Sequence, residues 1–199
     1  WRLDCGTQTL LVGGDKNLPE VFYWGKRLPE TEDLEEIWDA TRLDYSGGVL
    51  DGVPPISICP EVSKTFPGYP GMRIRGAAGR SLQPNFRLTD AKYTETSLIL
   101  KFEDLKLGLA YSASFVAHKA TNVFELSASL SADTEILVDW FAAPVLPATQ
   151  AAQKMIDFSG HWCREFEKQE TDWSIGARLR NNQTGRTGHE HFPGLMVPE

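Results

Sequence analysis

Residues Thr96–Leu130 read TSLILKFEDLKLGLAYSASFVAHKATNVFELSASL, and apolar side chains occupy every second position in three runs of this stretch. The apolar positions of the three runs are Leu98, Leu100 and Phe102, then Leu109, Tyr111, Ala113 and Phe115, then Phe124, Leu126, Ala128 and Leu130. A period of two is typical of strands that turn one face to a core and the other to water. Turn residues at Asp104–Gly108 and His118–Asn122 separate the runs. The stretch therefore predicts antiparallel strands in a β-sandwich rather than βαβ units.

Further strands are predicted on both sides of this stretch, at Thr9–Val12, Pro19–Trp24, Met72–Arg75, Asn85–Ala91 and Glu135–Ala143. In the last of these strands, strict alternation places Ile136 and Trp140 on one face. The same alternation places Asp139 and Phe141 on the opposite face.

One short helix is predicted, from Thr31 to about Ala40. Thr31 is of a residue type that caps helix N-termini. Leu34, Ile37 and Trp38 follow at helical spacing and form one apolar stripe. The chain is therefore expected to be all-β with at most one short helix.

The charge balance limits the partners of the 199-residue chain, which carries a net charge of -7 and a pI of about 5.2. Proteins that bind nucleic acids or anionic membrane surfaces present cationic residues, so neither partner is expected. No apolar window is long enough to cross a bilayer, and no signal peptide is visible. The three cysteines, Cys5, Cys59 and Cys163, are widely spaced and predict reduced, mostly buried thiols in a cytoplasmic protein.

Two short motifs resemble chemical sites. His189 and His191 share one face if they lie on a strand, and such a pair can bind zinc. A third ligand at a useful spacing is lacking, so a polar turn is favoured and no metal site is expected. Cys163 follows His161 closely enough for the imidazole to lower the pKa of the thiol, but an unreactive thiol is favoured.

Aromatic and arginine residues allow two interpretations each. Tryptophans and tyrosines either stack on sugar rings or fill a core and its interfaces. Arginines mix with aromatic residues in Phe158–Phe166 and from Arg178 to His189. Those such as Arg180 either pair with internal carboxylates or brace a neighbouring domain.

Seven segments occur in order along the chain: Trp1–Asp4 (WRLD), Tyr23–Gly25 (YWG), Gly48–Pro55 (GVLDGVPP), Phe66–Gly71 (FPGYPG), Leu137–Pro147 (LVDWFAAPVLP), Asp157–Phe166 (DFSGHWCREF) and Gly185–Pro193 (GRTGHEHFP). As a set they resemble the N-terminal region of bacterial α-galactosidases of glycoside hydrolase family 36. No single segment is specific, whereas their order and spacing over nearly the whole chain are.

The resemblance implies an all-β fold, an antiparallel supersandwich of the galactose-mutarotase-like type, placed before a catalytic (β/α)₈ barrel. Residues 1–199 would then form a non-catalytic N-terminal domain, and no catalytic residue is expected in this chain. The apolar run Phe192–Glu199 agrees with a domain that is truncated at its C-terminal end. The intact enzyme is expected to be a retaining glycosidase that releases terminal α-linked galactose from oligosaccharides without metal or organic cofactor.

The resemblance also implies which residues approach the substrate. Relatives form oligomers, in which loops of this region approach the active-site mouth of a neighbouring subunit. Asp51 would act there as a hydrogen-bonding carboxylate, with Phe66 or Tyr69 as a stacking wall. The two clusters in which aromatic residues mix with arginines supply the candidates for a domain interface, and these are His161, Trp162, Arg164, Arg186 and His189.

Two other functions remain open at this level. An independent carbohydrate-binding β-sandwich would bind sugar as an isolated chain. A structural or interaction module would make no contact with sugar.

Overall fold

The computed structural model of the chain describes residues 1–14, 17–41, 56–149, 151–174, 176, 178–186 and 189–198. Strands dominate this part of the chain, and the pairings between its named strands are antiparallel. Contacts divide the chain into two compact units, Trp1–Pro147 and Ala148–Glu199. The all-β prediction is confirmed.

The described part of the first unit contains ten strands and one α-helix. Its strands are β1 (Arg2–Cys5), β2 (Gln8–Gly13), β3 (Glu20–Lys26), β4 (Met72–Gly76), β5 (Ser81–Leu82), β6 (Arg87–Tyr93), β7 (Ser97–Asp104), β8 (Leu109–His118), β9 (Val123–Ala132) and β10 (Ile136–Phe141). The helix, α1, spans Leu34–Thr41, and a short 3-10 helix spans Val62–Lys64. The strands form three sheets, with the orders β1-β2-β3, β10-β4-β5 and β6-β7-β8-β9.

The stretch with alternating apolar residues forms the centre of the core. Leu98, Leu100 and Phe102 of β7 are fully buried, as are Ala113 and Phe115 of β8. They cluster with apolar residues of the other two sheets, among them Leu3, Leu10, Val12, Val21, Met72 and Ile74. Full burial of one large apolar side chain contributes roughly 1.5–3 kcal/mol. The shared core between facing sheets is that of a β-sandwich, as predicted.

Trp140 and Phe141 of β10 occupy the faces opposite to those predicted. One extra residue, Asp139, forms a β-bulge in the pairing of β10 with β4 and shifts the alternation by one residue. Phe141 therefore joins Ile136 at the core and packs edge-on against Tyr111, with 6.1 Å between ring centroids. The prediction that Trp140 shares a face with Ile136 was wrong, because a bulge breaks the period of two.

Helix α1 begins later than predicted, because Asp33 rather than Thr31 caps it. The carboxylate of Asp33 accepts a hydrogen bond from the backbone N–H of Glu35 at 2.9 Å. Its negative charge also suits the positive end of the helix dipole. The apolar stripe of the helix reaches the sheet through Trp38, whose ring packs edge-on against Phe22 of β3, with 4.9 Å between centroids.

The second unit contains a three-stranded sheet with the order β12-β11-β13. β11 spans Lys154–His161, β12 spans Arg164–Asp172 and β13 spans Glu190–Met196. β11 and β12 form a hairpin, and Cys163 at its tip has a left-handed backbone with φ of 65°.

Candidate functional site

The segment Phe66–Gly71 runs beside β4 and β10 along a path held by backbone hydrogen bonds. The N–H of Gly71 donates to the carbonyl oxygen of Pro60 at 2.9 Å, and its own carbonyl accepts from the N–H of Ala142 at 2.9 Å. A Cβ at Gly71 would lie 2.6 Å from the Sγ atom of Cys59. Only glycine allows this close approach, so the glycine fixes where the segment meets the sheet.

Tyr69 of this segment contacts two side chains from the strands. Its ring meets that of Trp140 at 85°, with 5.2 Å between centroids. The guanidinium carbon of Arg73 lies 4.4 Å from the centroid of the Tyr69 ring. Tyr69 nevertheless remains 50% exposed. A half-exposed aromatic ring can pack against the apolar face of a sugar.

A bidentate ion pair lies on the same two strands. Nε and Nη2 of Arg75 lie 2.7 and 2.6 Å from the carboxylate oxygens of Asp139. The hydrogen bonds from Arg75 lower the pKa of the Asp139 carboxyl below its usual value. The carboxylate therefore stays ionised at neutral pH and has no proton to donate as a general acid.

The structure describes two of the three residues that were predicted to lie near the substrate. Tyr69 is half exposed on the outer face of the sheet, and Phe66 is partly buried in the same segment. Asp51 lies outside the described residues. The structure thus brings two of the three predicted side chains into one segment.

Arg73, Arg75 and Trp140 were not predicted to belong to this site. A signal for the two arginines exists in the sequence, because Arg73 and Arg75 flank Ile74 and a period of two places them on the face opposite that buried residue. Trp140 gives no such signal, since its face depends on the bulge in β10.

The β11–β12 hairpin brings together part of the second predicted set. Trp162 is 73% exposed, and its ring lies edge to face with the imidazole of His189, at 6.4 Å between centroids. Nε2 of His189 lies 3.6 Å from Oε1 of Glu165. The backbone N–H groups of Glu165 and Cys163, with the nearby imidazole, lower the pKa of the Glu165 carboxyl. The hairpin tip therefore presents an aromatic side chain beside an ionised carboxylate.

The remaining predicted interface residues are held in different ways. His161 is paired with Arg164 next to the tip of the hairpin. Nη2 of Arg164 lies 2.7 Å from Oε1 of Glu167. Arg186 lies in the loop before β13, where its carbonyl oxygen accepts a hydrogen bond from Nδ2 of Asn182 at 2.7 Å.

Two further arginines of the second unit bind groups within that unit. Arg180 forms an ion pair through Nε with Asp157, whose side chain is almost fully buried. Arg178 donates to the carbonyl oxygen of Asp172 at 2.6 Å. Of the two interpretations of these arginines, pairing with an internal carboxylate is therefore correct for Arg180.

The cysteines differ in exposure and carry no disulfide. Cys5 and Cys59 are buried, and Cys163 is exposed. Burial, together with the charge of Glu61, raises the pKa of the Cys59 thiol to about 12, which keeps it protonated and unreactive.

Within the described residues, no three or more His, Cys, Asp or Glu side chains form a group that could hold a metal ion. None of the helices in the same part of the chain has the length and apolar character that a bilayer crossing requires.

A family comparison covers nearly the whole chain. The Glycosyl hydrolase family 36 N-terminal domain matches residues 17–199. The chain belongs to this family. The resemblance noted from the seven sequence segments is thereby confirmed.

Individual relatives of this family 36 domain are α-galactosidases. The chain is 29% identical over 183 residues to an α-galactosidase of Escherichia coli, a match that covers 89% of the chain and 25% of the relative. The fold is similar to that of the family 36 α-galactosidase AgaA from Geobacillus stearothermophilus, with a TM-score of 0.79, 17% identity, and coverage of 98% of this chain and 31% of that one. The fold is also similar to that of an α-galactosidase from Lactobacillus brevis, with a TM-score of 0.75, 15% identity, and coverage of 99% of this chain and 30% of that one. The chain thus spans between a quarter and a third of the length of these relatives.

Proposed function

We propose that this family 36 domain is the N-terminal domain of an α-galactosidase that hydrolyses terminal α-linked galactose from oligosaccharides. The observation that carries the proposal is the match with the Escherichia coli α-galactosidase, which covers 89% of this chain but 25% of the relative. The remaining length of such an enzyme has room for a catalytic (β/α)₈ barrel.

The chemistry of three described carboxylates, Glu61, Asp139 and Glu165, agrees with a non-catalytic role. Glycoside hydrolysis needs a carboxylic acid that donates a proton and a second carboxylate about 5–9 Å away. The pKa values of Asp139 and Glu165 are lowered by their hydrogen-bond donors, so both groups are ionised. Burial raises the pKa of Glu61, but its carboxylate accepts from the backbone N–H of Phe86 inside the first unit. The proposal therefore assigns both catalytic carboxylates to the barrel.

The exposed aromatic surface of the second unit supports an interface with that barrel. The proposed interface residues are His161, Trp162, Arg164, Arg186 and His189. Trp162 is 73% exposed at the hairpin tip, and an exposed aromatic side chain of this size is typical of a surface that another domain covers. Paired charges beside it, such as Arg164 with Glu167, match the polar rim of such an interface.

The substrate-proximal role is proposed for Asp51, Phe66 and Tyr69 in a homo-oligomer, where they reach the active-site mouth of a neighbouring subunit. Variants of AgaA form complexes with raffinose and stachyose. Cysteines without disulfides suit a cytoplasmic location of the enzyme.

Activity of the chain and of the full reading frame that contains it tests the proposal. We expect the longer protein to hydrolyse an aryl α-galactoside, with α-galactose as the first product detected by NMR. The 199-residue chain alone is expected to show no turnover above background. Absence of activity in the longer protein, or turnover that copurifies with the short chain, contradicts the proposal.

The substrate-proximal role is tested by Asp51→Ala and Tyr69→Ala in the longer protein, with Trp24→Phe as the control. Trp24 is an exposed aromatic residue like Tyr69, but it lies on β3, outside the segment Phe66–Gly71. We expect KM for raffinose to rise in the two alanine variants and not in the control. Unchanged KM and kcat in both alanine variants exclude the role.

A second candidate function is an independent carbohydrate-binding module. The exposed rings of Tyr69 and Trp140 on one sheet face favour it. Titration of the isolated chain with galactose and raffinose distinguishes the two functions. Saturable binding with a Kd below about 1 mM, lost in Tyr69→Ala, supports the module.

A further inference from the structure

The orientation of the Tyr69 ring is set by residues outside its own segment. Tyr69 belongs to the segment Phe66–Gly71, whereas Arg73 lies on β4 and Trp140 lies on β10. The Arg73 guanidinium lies 4.4 Å from the ring centroid, and the Trp140 ring lies 5.2 Å away at 85°. Two residues on regular strands thus hold one residue on a loop.

Trp140 also holds the backbone next to Tyr69. Its Nε1–H group donates a hydrogen bond to the carbonyl oxygen of Pro70 at 3.1 Å. The indole therefore contacts the ring of Tyr69 and the adjacent peptide at once. A tryptophan that makes both contacts limits the rotation of the tyrosine side chain as well as the position of its backbone.

Arg73 restricts how a ligand can use Tyr69. A guanidinium over one face of an aromatic ring is attracted by the π electrons and excludes other groups from that face. A sugar ring that stacks on Tyr69 must therefore use the part of the ring that Arg73 leaves open. Since Tyr69 is 50% exposed, it has surface left for such a contact.

The two strands that carry Arg73 and Trp140 are joined to each other on the same face. Arg75 of β4 binds Asp139 of β10 through two hydrogen bonds of 2.7 and 2.6 Å. Asp139 is the bulge residue that precedes Trp140. The ion pair therefore sits where it can hold the bulge and the tryptophan in register with β4.

We propose that Arg73 and Trp140 are positioning residues that orient Tyr69 for stacking on a neutral sugar ring of an oligosaccharide substrate. This inference rests on the proposed substrate-proximal role of Tyr69. Arg73 presents one face of the tyrosine to substrate, and Trp140 fixes the height of the ring above the sheet. Neither residue contacts the reacting bond, so both act on binding rather than on the chemical step.

The first test observes the ring itself. The chain has five tyrosines, so labelling with 3-fluorotyrosine gives five ¹⁹F signals, and Tyr69→Phe identifies one of them. We expect Arg73→Met and Trp140→Phe each to shift or broaden the Tyr69 signal alone. Trp24→Phe serves as the matched control, since it also removes a strand indole whose Nε1 makes one hydrogen bond. The other four signals report that each variant is folded.

The second test measures raffinose hydrolysis by the longer protein that contains this chain. Loss of an exposed cation–π contact or of one hydrogen bond is expected to raise KM about two- to tenfold with kcat unchanged. Arg73→Lys keeps a cation over the ring and is expected to recover part of the lost affinity. A merely structural role lowers the amount of active enzyme, and therefore the apparent kcat, without this split or rescue.

The combined outcomes separate this inference from the proposed function. If the Tyr69 signal is unchanged in both variants, Arg73 and Trp140 do not position the ring, even where Tyr69→Ala raises KM. If the signal shifts but Tyr69→Ala leaves KM unchanged, the substrate role of Tyr69 is wrong and the positioning proposal is overturned with it. A shifted signal together with raised KM in Tyr69→Ala, Arg73→Met and Trp140→Phe supports both.

Discussion

The two units of the domain differ in where they place large apolar side chains. The first unit has a core in which Tyr111, Phe86, Phe102 and Phe115 are fully buried, although it also exposes others, such as Trp24, Tyr69 and Leu105. The second unit exposes several, including Trp162, Phe166, Leu179, Phe192, Leu195 and Met196. Apolar side chains that stay in contact with water contribute little to the free energy of folding.

This difference suggests that the first unit provides the stability of the domain and that the second unit provides a surface for another domain. The first unit has a core shared by three sheets and gains most of its folding free energy from burial. The second unit is a three-stranded sheet, a size that is near the lower limit for independent stability. Its exposed aromatic rings therefore fit the proposed contact with a catalytic domain better than a core of their own.

The largest expected effect comes from truncating one phenylalanine in each unit. Phe102→Ala removes a fully buried ring and is expected to lower the free energy of unfolding by about 3–5 kcal/mol. Phe166→Ala removes a ring that is 52% exposed and is expected to cost less than about 1 kcal/mol in the isolated chain. Urea unfolding followed by circular dichroism measures both. Equal losses would contradict the contrast between the units.

The next effect concerns the ion pair of the second unit. Arg180→Met leaves the buried carboxylate of Asp157 without its cation. A loss of about 3–5 kcal/mol is typical when one member of a buried pair is removed, and the partial exposure of Arg180 reduces it to about 2 kcal/mol. Hydrogen exchange should show faster exchange of β11 amides while β8 amides are unchanged.

Arg164→Met is the matched control for that substitution, because Arg164 is 75% exposed in its pair with Glu167. Removal of an exposed pair is expected to change stability by less than about 1 kcal/mol. Faster exchange in β8 upon Arg180→Met would show that the two units do not unfold separately.

A smaller effect, of opposite sign, is expected in the core of the first unit. The hydroxyl of Tyr111 is buried without a hydrogen-bond partner. Tyr111→Phe removes this unpaired group and is expected to raise the free energy of unfolding by about 1 kcal/mol. Tyr93→Phe is the control, since the hydroxyl of Tyr93 donates to the carbonyl of Arg2 at 2.5 Å, and its loss should be destabilising. Destabilisation by both variants would show that the Tyr111 hydroxyl is satisfied.

The smallest effect depends on pH. Burial raises the pKa of Glu61 in the folded chain above its usual value of about 4.5. The folded state therefore binds this proton more tightly than the unfolded state, and the stability it contributes is lost as pH rises through the folded pKa. Glu61→Gln keeps an oxygen for the N–H of Phe86 but does not ionise.

Between pH 4.5 and 7, the stability of the Glu61→Gln variant relative to the native chain should increase, because only the native chain loses stability as Glu61 ionises. Denaturant midpoints at both pH values measure this difference. Glu103→Gln, on the exposed side of β7, is the control for the replacement of a glutamate by glutamine. A difference that falls with rising pH would contradict the direction of the shift.

Most strands of the first unit could be predicted because one-sided burial leaves a period of two in the sequence. β7 and β8 follow this period over their full lengths, with alternating buried and less buried residues. β12 reads REFEKQETD and has no buried face, so no periodic signal marks it. The bulge in β10 could not be predicted for a different reason, because it is a property of the pairing with β4 and leaves no pattern in the sequence of β10 itself.

The candidate site was predictable only in part. The segment Phe66–Gly71 was recognised by resemblance, whereas its contacts join residues that are distant in the sequence. Pro70 and Trp140 are separated by 70 positions, and no local pattern reports such a meeting. The alternation of Arg73 with buried Ile74 predicts that Arg73 faces outward. It does not predict the contact of Arg73 with the ring of Tyr69.

The bulge at Asp139 also determines how the length of this part of the chain can vary. Because Asp139 has no opposite residue on β4, a sequence without it would keep Phe141 at the core and Trp140 outside. Such a deletion would remove the bulge together with the anion that Arg75 binds. Loss of any other residue of β10 would instead change which pairs face each other across the sheet. Where a relative has one residue fewer in β10, the gap is therefore expected at position 139, accompanied by loss of the arginine at position 75.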